Sequence, residues 1–412
     1  MRVGMVGLGK LGLPCALAIE SKGHEVIGYD VNSGIGNYIK GRKIPYLEKG
    51  APELLEKTNI RFESLETVVK ESEIIFVAVQ TPHEKEFEGI TRTPHRRVDF
   101  DYYYLISAIK GISDVLDKIQ EEKTVVIIST VLPGTLDKQI LPIVSSWANL
   151  VYNPFFIAMG TTIDDFLNPE FVLVGADELK LDCQLGIEVL QEFYSTIHNK
   201  KFHVVSYKEA ELIKVSYNTF ISMKIAYVNM LMEICHKIEC NIDNVTDGLK
   251  LATDRLISPK YLTGGMGDGG GCHPRDNIAM SWLAKELDLS FDLFRSIMAA
   301  REGQAEWIAS LMLEYHLPKV ILGLAYKPET NLTVGSTALL VKNILEQKGV
   351  AVATYEPYEE HAYSHDFGQA VYLIGVQHKQ FLEYKFPTGS VVIDPFRYII
   401  FRPGVHVVHV GG

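Results

Sequence analysis

Near its start the chain reads Arg2-Val-Gly-Met-Val6-Gly7-Leu-Gly9-Lys-Leu-Gly12, in which a short apolar strand runs into three spaced glycines. A helical pattern follows as far as Ile19, and a second strand, Glu25-Val-Ile-Gly-Tyr29, ends on Asp30. In a Gly-x-Gly-x-x-Gly turn the first glycine makes the bend, the second lets a pyrophosphate approach, and the third lets the helix pack on the strand. The pattern predicts a Rossmann-type βαβ unit that binds a dinucleotide.

Asp30 and two later threonines indicate how that dinucleotide is held. An acid after the second strand accepts hydrogen bonds from ribose hydroxyls and repels a 2′-phosphate, which favours NAD over NADP. The buried runs Glu73-Ile-Ile-Phe-Val-Ala-Val79 and Thr124-Val-Val-Ile-Ile128 lead to Thr81 and Thr130, and ligands of doubly wound sheets bind at such strand ends. The predicted cofactor-binding residues are Gly7, Gly9, Lys10, Leu11, Gly12, Asp30, Thr81 and Thr130.

The bulk properties of the chain exclude several classes of function. Its 412 residues suggest two or three domains, and a formal net charge of −11 without a basic stripe argues against nucleic-acid binding. No apolar run is long enough to span a membrane, and the glycine spacing explains the apolar start better than a signal peptide does. Five scattered cysteines without a CxxC pair indicate a reducing compartment, so we expect a cytoplasmic protein. Segment 83–97, with two histidines and three arginines, is interpreted as a solvated flap rather than a metal site, and no metal is predicted.

A long helix is predicted from Lys208 to about Cys240, where the chain has no proline or glycine and the apolar spacing is helical. Its expected length of about 45 Å exceeds what one domain usually needs, so we expect it to link two domains and to form a homodimer. Lys214, Asn218 and Ser222 fall on one face at helical spacing. A solvated stripe is the alternative, but the apolar neighbours favour a functional role and require an anionic partner for a buried ammonium.

The most unusual stretch is Thr263-Gly-Gly-Met-Gly-Asp-Gly-Gly-Gly-Cys272-His-Pro-Arg-Asp276. So many glycines let the backbone approach a ligand and present its N–H groups. A cysteine ahead of a helix start and close to Arg275 is in surroundings that favour the thiolate. A flexible linker is the alternative, although linkers are usually richer in serine.

The last hundred residues resume the βα pattern without a second Gly-x-Gly-x-x-Gly turn. Strands are predicted at 319–323, 350–355, 371–376 and 391–394, and a helix at 336–348. Arg397 is interpreted either as a contact to a base or ribose or as a surface arginine. His406 and His409 alternate with valines as on an edge strand, and we assign them no role.

Five ordered motifs resemble those of the UDP-glucose/GDP-mannose dehydrogenase family over nearly the whole chain. They are Gly7 to Gly12, Ser129-Thr-Val-Leu-Pro-Gly-Thr135, Glu209-Ala-Glu-Leu-Ile-Lys-Val-Ser-Tyr-Asn-Thr-Phe220, Gly267-Asp-Gly-Gly-Gly-Cys-His-Pro-Arg-Asp276 and Gly323-Leu-Ala-Tyr-Lys-Pro-Glu-Thr330. The resemblance implies an α/β protein with two Rossmann-like doubly wound domains joined by a long central helix and a helical dimerisation region. The implied domains are an NAD-binding domain at 1–205, a central helical domain with the cysteine loop at 206–310, and a nucleotide-sugar-binding domain at 311–412.

The same resemblance implies a four-electron oxidation of a sugar C6 alcohol to a carboxylate with two NAD⁺, with UDP-glucose as the expected substrate. Cys272 would attack the intermediate aldehyde, and the thioester formed after the second hydride transfer would be hydrolysed. Lys214 and Asn218 can stabilise an oxyanion, while Asp276 with Thr130 can hold and polarise water. Arg275 is expected at the cofactor. The expected substrate-binding residues are Lys214, Asn218, Arg255 (which would reach the neighbouring subunit's substrate), Tyr261, Leu262, Gly269 and Lys327.

Several residues depart from the family pattern. Phe155 and Met159 stand where the family has two glutamates, and the first of these is the family's general base, a group worth roughly 10²–10⁴-fold in rate. We hypothesise that Asp268 supplies the missing carboxylate. Val334 replaces an arginine expected at the cofactor. Two alternatives therefore stay open beside full oxidation: chemistry that stops at the aldehyde or at a trapped thioester, and an inactive nucleotide-sugar-binding protein.

Overall fold

The structure is a computed structural model, which describes residues 1–82, 98–177, 181–258, 264–267, 284–330, 332–359 and 367–410, together with Pro274 and Ser281. The chain divides into two compact units, Met1–Ser222 and Met223–Gly412. The division into three domains inferred from the sequence stays a prediction. Among the described residues, no helix combines the length and apolar character needed to cross a bilayer.

The first unit is built on an eight-stranded sheet in the order β3-β2-β1-β4-β5-β6-β7-β8. Pairing is parallel from β3 to β6, whereas β7 runs antiparallel to β6 and parallel to β8. The strands are β1 (Arg2–Val6), β2 (Glu25–Tyr29), β3 (Arg61–Phe62), β4 (Ile74–Val77), β5 (Lys123–Ile127), β6 (Ala148–Tyr152), β7 (Val172–Gly175) and β8 (Phe202–Val205).

Helices cover both faces of this sheet, because its central strands are apolar on both sides. One apolar core lies under α1 and the other under α4 and α5. The helices are α1 (Gly12–Glu20), α2 (Ile35–Lys40), α3 (Ala51–Leu55), α4 (Leu65–Glu71), α5 (Tyr103–Ile119), α6 (Thr162–Leu167), α7 (Leu181–Ser195) and α8 (Tyr207–Lys237), with a short π-helix at Leu136–Ile140.

The chain order places a crevice at one edge of the sheet. From β1 the chain moves outward to β2 and β3, then returns to β4 on the other side of β1. Ligands of open α/β sheets bind where the strand order reverses in this way, at the carboxyl ends of the strands. In the first unit that position lies just beyond Val6 and Val77, whose Cα atoms face each other across the β1–β4 pair.

Helix α8 has 31 residues and begins with a capping box. The Ser206 backbone N–H and hydroxyl both donate to Glu209, at 2.9 and 2.6 Å. The helix ends at Lys237 rather than near Cys240, because Glu239 adopts a left-handed conformation with φ of 57°. A glycine usually signals such an end, and its absence explains the small error in the predicted boundary.

The second unit contains a five-stranded, all-parallel sheet in the order β10-β9-β11-β12-β13. The histidine-containing tail is the edge strand β13, as its alternating pattern predicted. The strands are β9 (Lys319–Leu322), β10 (Val352–Tyr355), β11 (Val371–Ile374), β12 (Val391–Asp394) and β13 (His406–His409), and the helices are α9 (Ile242–Lys250), α10 (Leu293–Leu313) and α11 (Thr337–Gln347).

The second sheet repeats the turn geometry of the first without its glycine pattern. The Gly323 N–H donates to the Tyr355 carbonyl at 2.7 Å, just as Gly7 donates to Tyr29 at 2.8 Å. Here Glu356 takes the place of the acid, and its carboxylate accepts from the Leu324 N–H at 2.7 Å.

Glu356 forms a buried pair with His378. Neither side chain is exposed, and the His378 Nε2 lies 3.0 Å from a Glu356 oxygen. The Glu329 N–H donates to His378 Nδ1, so the imidazole proton is on Nε2 and is donated to Glu356. Burial by itself would raise the pKa of Glu356, but the bonds from His378 and from the Leu324 and Ala325 N–H groups outweigh it and hold the pKa below its usual range.

We expect Glu356→Gln to lower the free energy of unfolding of this region by about 2 kcal/mol at neutral pH, because buried N–H groups lose a charged acceptor. Since folding lowers the pKa of Glu356, its stabilisation is present above the usual glutamate range and is lost as the pH falls through the folded pKa. Hydrogen exchange of the β9 and β10 amides across that pH window should therefore vary less in the variant. The exposed neighbour Glu359→Gln is the control, and equal pH profiles for all three proteins would contradict the assignment.

Candidate active site

Glycine is present at the three positions of the first turn for different structural reasons. Gly7 has φ of 93°, and a Cβ there would lie 2.8 Å from the Ala78 carbonyl oxygen. A Cβ on Gly12 would lie 1.9 Å from the Gly7 oxygen, so α1 could not approach β1. Gly9 is exposed, and a Cβ there would meet no atom within 4 Å. The fold itself requires Gly7 and Gly12, whereas the space beside Gly9 suits a closely approaching ligand.

Asp30 and the two threonines lie at the same edge of the sheet. The Asp30 carboxylate accepts from the Leu8 and Asn32 N–H groups at 2.8 Å each, which leaves further lone pairs for ribose hydroxyls. The Thr81 hydroxyl donates to the Thr130 carbonyl at 2.7 Å, so the exits of β4 and β5 meet as predicted. Beside the turn, Lys10 is exposed and Leu11 half-buried. These residues fit a bound dinucleotide.

Lys214 reaches the same edge from α8 and is only 6% exposed. Its Nζ donates to the Phe155 carbonyl at 2.7 Å and lies 4.9 Å from the centre of the Phe156 ring. No carboxylate among the described residues pairs with this ammonium, so the expected anionic partner stays a prediction. Burial lowers the pKa of Lys214. Asn218, one turn further along α8, is exposed.

Glu211 is a site residue that the sequence analysis did not single out. It has no exposed surface, and its carboxylate accepts from the Leu136 N–H at 2.8 Å and from the Gly134 N–H. Burial raises the pKa of Glu211, and these hydrogen bonds only partly offset that effect. Glu211 thereby fastens α8 to the turn that follows Thr130. The apolar residues on either side of it, Ala210 and Leu212, were the sequence feature that could have indicated a buried carboxylate.

The segment that replaces the family glutamates keeps a defined backbone. Glu48 accepts from the Gly160 N–H at 3.0 Å and from the Thr162 hydroxyl at 2.9 Å. The half-buried Phe155 ring packs against the core beneath α1, with its centre 5.4 Å from that of Phe166. Met159 is 63% exposed. Phe155 therefore packs against the core, whereas Met159 faces solvent.

In the second unit, three polar side chains hold the start of the glycine run by its carbonyl oxygens. Arg397 donates to Gly264 at 2.7 Å, Gln304 to Gly265 at 2.8 Å, and Thr337 to Gly267 at 3.2 Å. A Cβ on Gly265 would lie 2.8 Å from the ring of Phe396, so only glycine fits there.

The remaining predicted residues divide into exposed ones and ones that the structure does not describe. Arg397 also donates to the Pro395 and Val410 carbonyls, so its guanidinium is occupied by backbone. Arg255 and Lys327 are exposed, and Lys327 lies 5.4 Å from the Tyr326 ring centre. Outside the described residues lie Tyr261, Leu262, Asp268, Gly269, Cys272, Arg275, Asp276 and segment 83–97.

The doubly wound sheet, the glycine turn and the acid after β2 define a dinucleotide-binding α/β dehydrogenase. The NAD-binding domain of the UDP-glucose/GDP-mannose dehydrogenase family matches residues 1–198, and the central domain of the same family matches residues 208–302. The chain belongs to this family of NAD-dependent nucleotide-sugar dehydrogenases.

Individual relatives carry two different substrate names. The UDP-glucose 6-dehydrogenase of Rhizobium meliloti is 29% identical over 374 residues, which cover 87% of this chain and 82% of the relative. The GDP-mannose 6-dehydrogenase of Pseudomonas aeruginosa is 27% identical, covering 95% of this chain and 87% of the relative. The crystal structure of a ternary complex of GDP-mannose dehydrogenase from Pseudomonas aeruginosa shares the fold, with a TM-score of 0.87, 23% identity and 99% coverage of both chains.

The geometry of the glycine turn predicts different effects for alanine at Gly12 and at Gly9: the first should lower stability and the second should lower NAD affinity. Gly12→Ala should lower the free energy of unfolding by about 3 kcal/mol, because the new methyl group meets the Gly7 carbonyl. Gly9→Ala should change stability by less than about 0.5 kcal/mol yet weaken NAD binding about tenfold, because the methyl occupies the approach of the pyrophosphate. Urea unfolding without NAD and NAD titration by fluorescence separate the effects. Unchanged NAD affinity in Gly9→Ala would contradict this assignment of the open space.

Lys214→Met should raise the free energy of unfolding by about 1 kcal/mol, because it removes a buried cation that pairs with no carboxylate in the described part of the chain. The same substitution should abolish NADH formation if the ammonium stabilises the reacting oxygen. Lys208→Met, on the same helix and paired at the surface with Asp137, is the matched control and should change stability by less than about 0.5 kcal/mol. A large loss of stability in Lys214→Met would show that the amine is structural.

Proposed function

We propose that the protein oxidises the C6 alcohol of UDP-glucose to the carboxylate with two NAD⁺, through a covalent adduct on Cys272. The observation that carries this proposal is Lys214, a buried amine at the crevice edge that no carboxylate among the described residues neutralises. Such an arrangement is costly for folding and suits the stabilisation of a negative charge that develops during reaction. The relatives named UDP-glucose 6-dehydrogenase support the choice of sugar.

NAD supplies the hydride acceptor, and the residues around the first turn fit it. The space at Gly9 accommodates a pyrophosphate, and Asp30 retains lone pairs for the ribose. At the strand exits Thr81 donates to Thr130, so its own hydroxyl oxygen remains able to accept a hydrogen bond. We infer that Thr130 and Asp276 together hold the water that completes the reaction.

Lys214 retains donors for the substrate. An ammonium has three N–H bonds, and the Phe155 carbonyl takes one of them. In our scheme the others bind the sugar O6, first as the alkoxide that loses hydride and then as the oxyanion of the Cys272 adduct. Asn218 adds a neutral donor from the next turn of α8. Because burial lowers the pKa of Lys214, its neutral form is easier to reach, and this neutral amine can accept the proton of O6.

The Cys272 steps need support for the loop and a base for the water. Arg397, Gln304 and Thr337 grip three carbonyls just before the cysteine, and we assign them as positioning residues for it. Phe155 stands in place of the family base, and its ring packs against the core and offers no acceptor for a proton. We therefore propose that Asp268 activates water for hydrolysis of the thioester.

We propose a homodimer in the cytoplasm as the working form, and exposed apolar side chains along α8 support the dimer. Large apolar patches on a surface usually mark interaction sites. The exposed residues of this row are Leu212, Phe220, Ile221, Met223, Tyr227, Val228 and Met232. In this proposal Arg255 reaches the substrate of the neighbouring subunit, and Lys327, in the domain at 311–412, binds the nucleotide-sugar.

The stoichiometry of NADH tests the proposal. Full oxidation should give about two NADH per UDP-glucose and a free uronic acid, since each hydride carries two electrons. A panel of UDP- and GDP-sugars, with mass spectrometry of product and protein, identifies the substrate. A single burst of NADH that leaves a sugar adduct on Cys272 would favour chemistry that stops at the thioester. The loss of the family base is the specific reason to consider this alternative. No NADH with any sugar would favour the binding-protein alternative.

Asp268→Asn tests the replacement base separately. We expect the first burst of NADH to survive and steady turnover to fall by roughly 10²-fold or more, with the thioester accumulating on Cys272. Asp247→Asn, an exposed acid on α9, is the control. Unchanged acid production in Asp268→Asn would exclude Asp268 as the base while leaving the overall reaction intact.

A further inference from the structure

The end of α8 brings two cysteines together. The Cys240 N–H donates to the Cys235 carbonyl at 2.9 Å, and Glu239 between them is left-handed. This is the Schellman arrangement, in which the residue after the left-handed one bonds back to a carbonyl five positions earlier. The side chains at these two positions usually touch, and here both are thiols.

The two thiols differ in access. Cys235 is buried at 5% exposure, whereas Cys240 is exposed. Contact with the Cys240 thiol is the main reason why the pKa of Cys235 is raised. Cys15 and Cys183 are also free thiols but are buried, and the Cys183 sulfur forms a hydrogen bond with the Tyr207 hydroxyl. Among the described cysteines, Cys240 is therefore the exposed one, and it has a second thiol beside it.

We propose that Cys235 and Cys240 are a site of reversible oxidation, at which a peroxide converts the two thiols into an intrachain disulfide. The spacing forms no CxxC motif, so the sequence analysis assigned the pair no role. Neither residue takes part in the proposed oxidation of the sugar, and the inference is independent of it.

The chemistry balances with hydrogen peroxide as the oxidant. The Cys240 thiolate attacks one peroxide oxygen, the O–O bond breaks, and a sulfenic acid and hydroxide form. The Cys235 sulfur then attacks the Cys240 sulfur, the S–O bond breaks, and a second hydroxide leaves. The protons from the two thiols convert both hydroxides to water. Two electrons pass from the thiols to the peroxide, and a dithiol reductant reverses the change.

The helix end already has the geometry that a disulfide needs. A disulfide requires its two Cα atoms to be within about 7 Å of each other, and the backbone bond between Cys240 and Cys235 imposes a short separation. Glu239 maintains this separation through its positive φ. Proline cannot adopt a positive φ, whereas glycine adopts it without strain. The residue at position 239 should therefore control whether the bond forms.

Peptide mapping of the full-length protein tests the proposal. Trypsin cleaves after Lys237, which lies between the two cysteines, so the disulfide joins two tryptic peptides that a reductant separates. After hydrogen peroxide and alkylation, we expect this linked pair in the wild type and in Cys272→Ser. We expect its loss in Cys240→Ser, whose substitution at an exposed position should not disturb folding.

Two further variants test the geometry rather than the sulfur atoms. Glu239→Gly should form the linked pair as readily as the wild type, and Glu239→Pro should not form it although both cysteines remain. Circular dichroism should show that α8 is intact in each. A Cys240 that ends as a sulfinic acid, or that pairs with Cys272, while Cys235 stays alkylated as a free thiol would overturn the proposal.

Discussion

Two buried ionic side chains, one turn apart on α8, fix the edge of the first sheet on which the site depends. Glu211 binds the backbone that leaves β5, and Lys214 binds the backbone that leaves β6. Each charge is hydrogen-bonded to peptide groups, and neither forms an ion pair with another described residue. Because a buried charge needs well-placed partners, neither strand exit can move without a large cost. The helix therefore acts as a rigid support for both exits.

Most of the parallel strands could be predicted from the sequence, because a buried parallel strand needs an apolar run with clear ends, whereas β3, β6 and β8 were not predicted. β1, β2 and β12 begin and end at the predicted residues. The glycine turn and the meeting of Thr81 with Thr130 were also predictable, since strand ends converge at one edge. The partners of buried charges were not, because Lys214 meets Phe155, and Glu211 meets Gly134 and Leu136, only in the folded chain. The direction of the Phe155 ring and the pairing of Cys235 with Cys240 were hidden for the same reason.

The two sheets show why one turn can bind a ligand while the other closes on itself. Both turns place an acid where it accepts the N–H groups of the first loop. Asp30 is half-buried with free lone pairs, whereas Glu356 is shut in by His378 and by two backbone N–H groups. The same backbone geometry therefore serves recognition in the first unit and stability in the second. His378, which packs against Glu356, makes the difference between an acid that stabilises the fold and one, such as Asp30, that can bind a ligand.

The grip on the glycine run also affects how the protein is made. Gly264 leaves the ribosome 133 residues ahead of Arg397, whose guanidinium holds it. During synthesis the first sheet can fold and bind its cofactor while the run that leads to Cys272 still lacks two of its three holding side chains, Thr337 and Arg397. The start of the glycine run thus gains all three of its holding side chains only when translation is nearly finished. An incomplete chain would be able to hold NAD before the start of the glycine run is held in place.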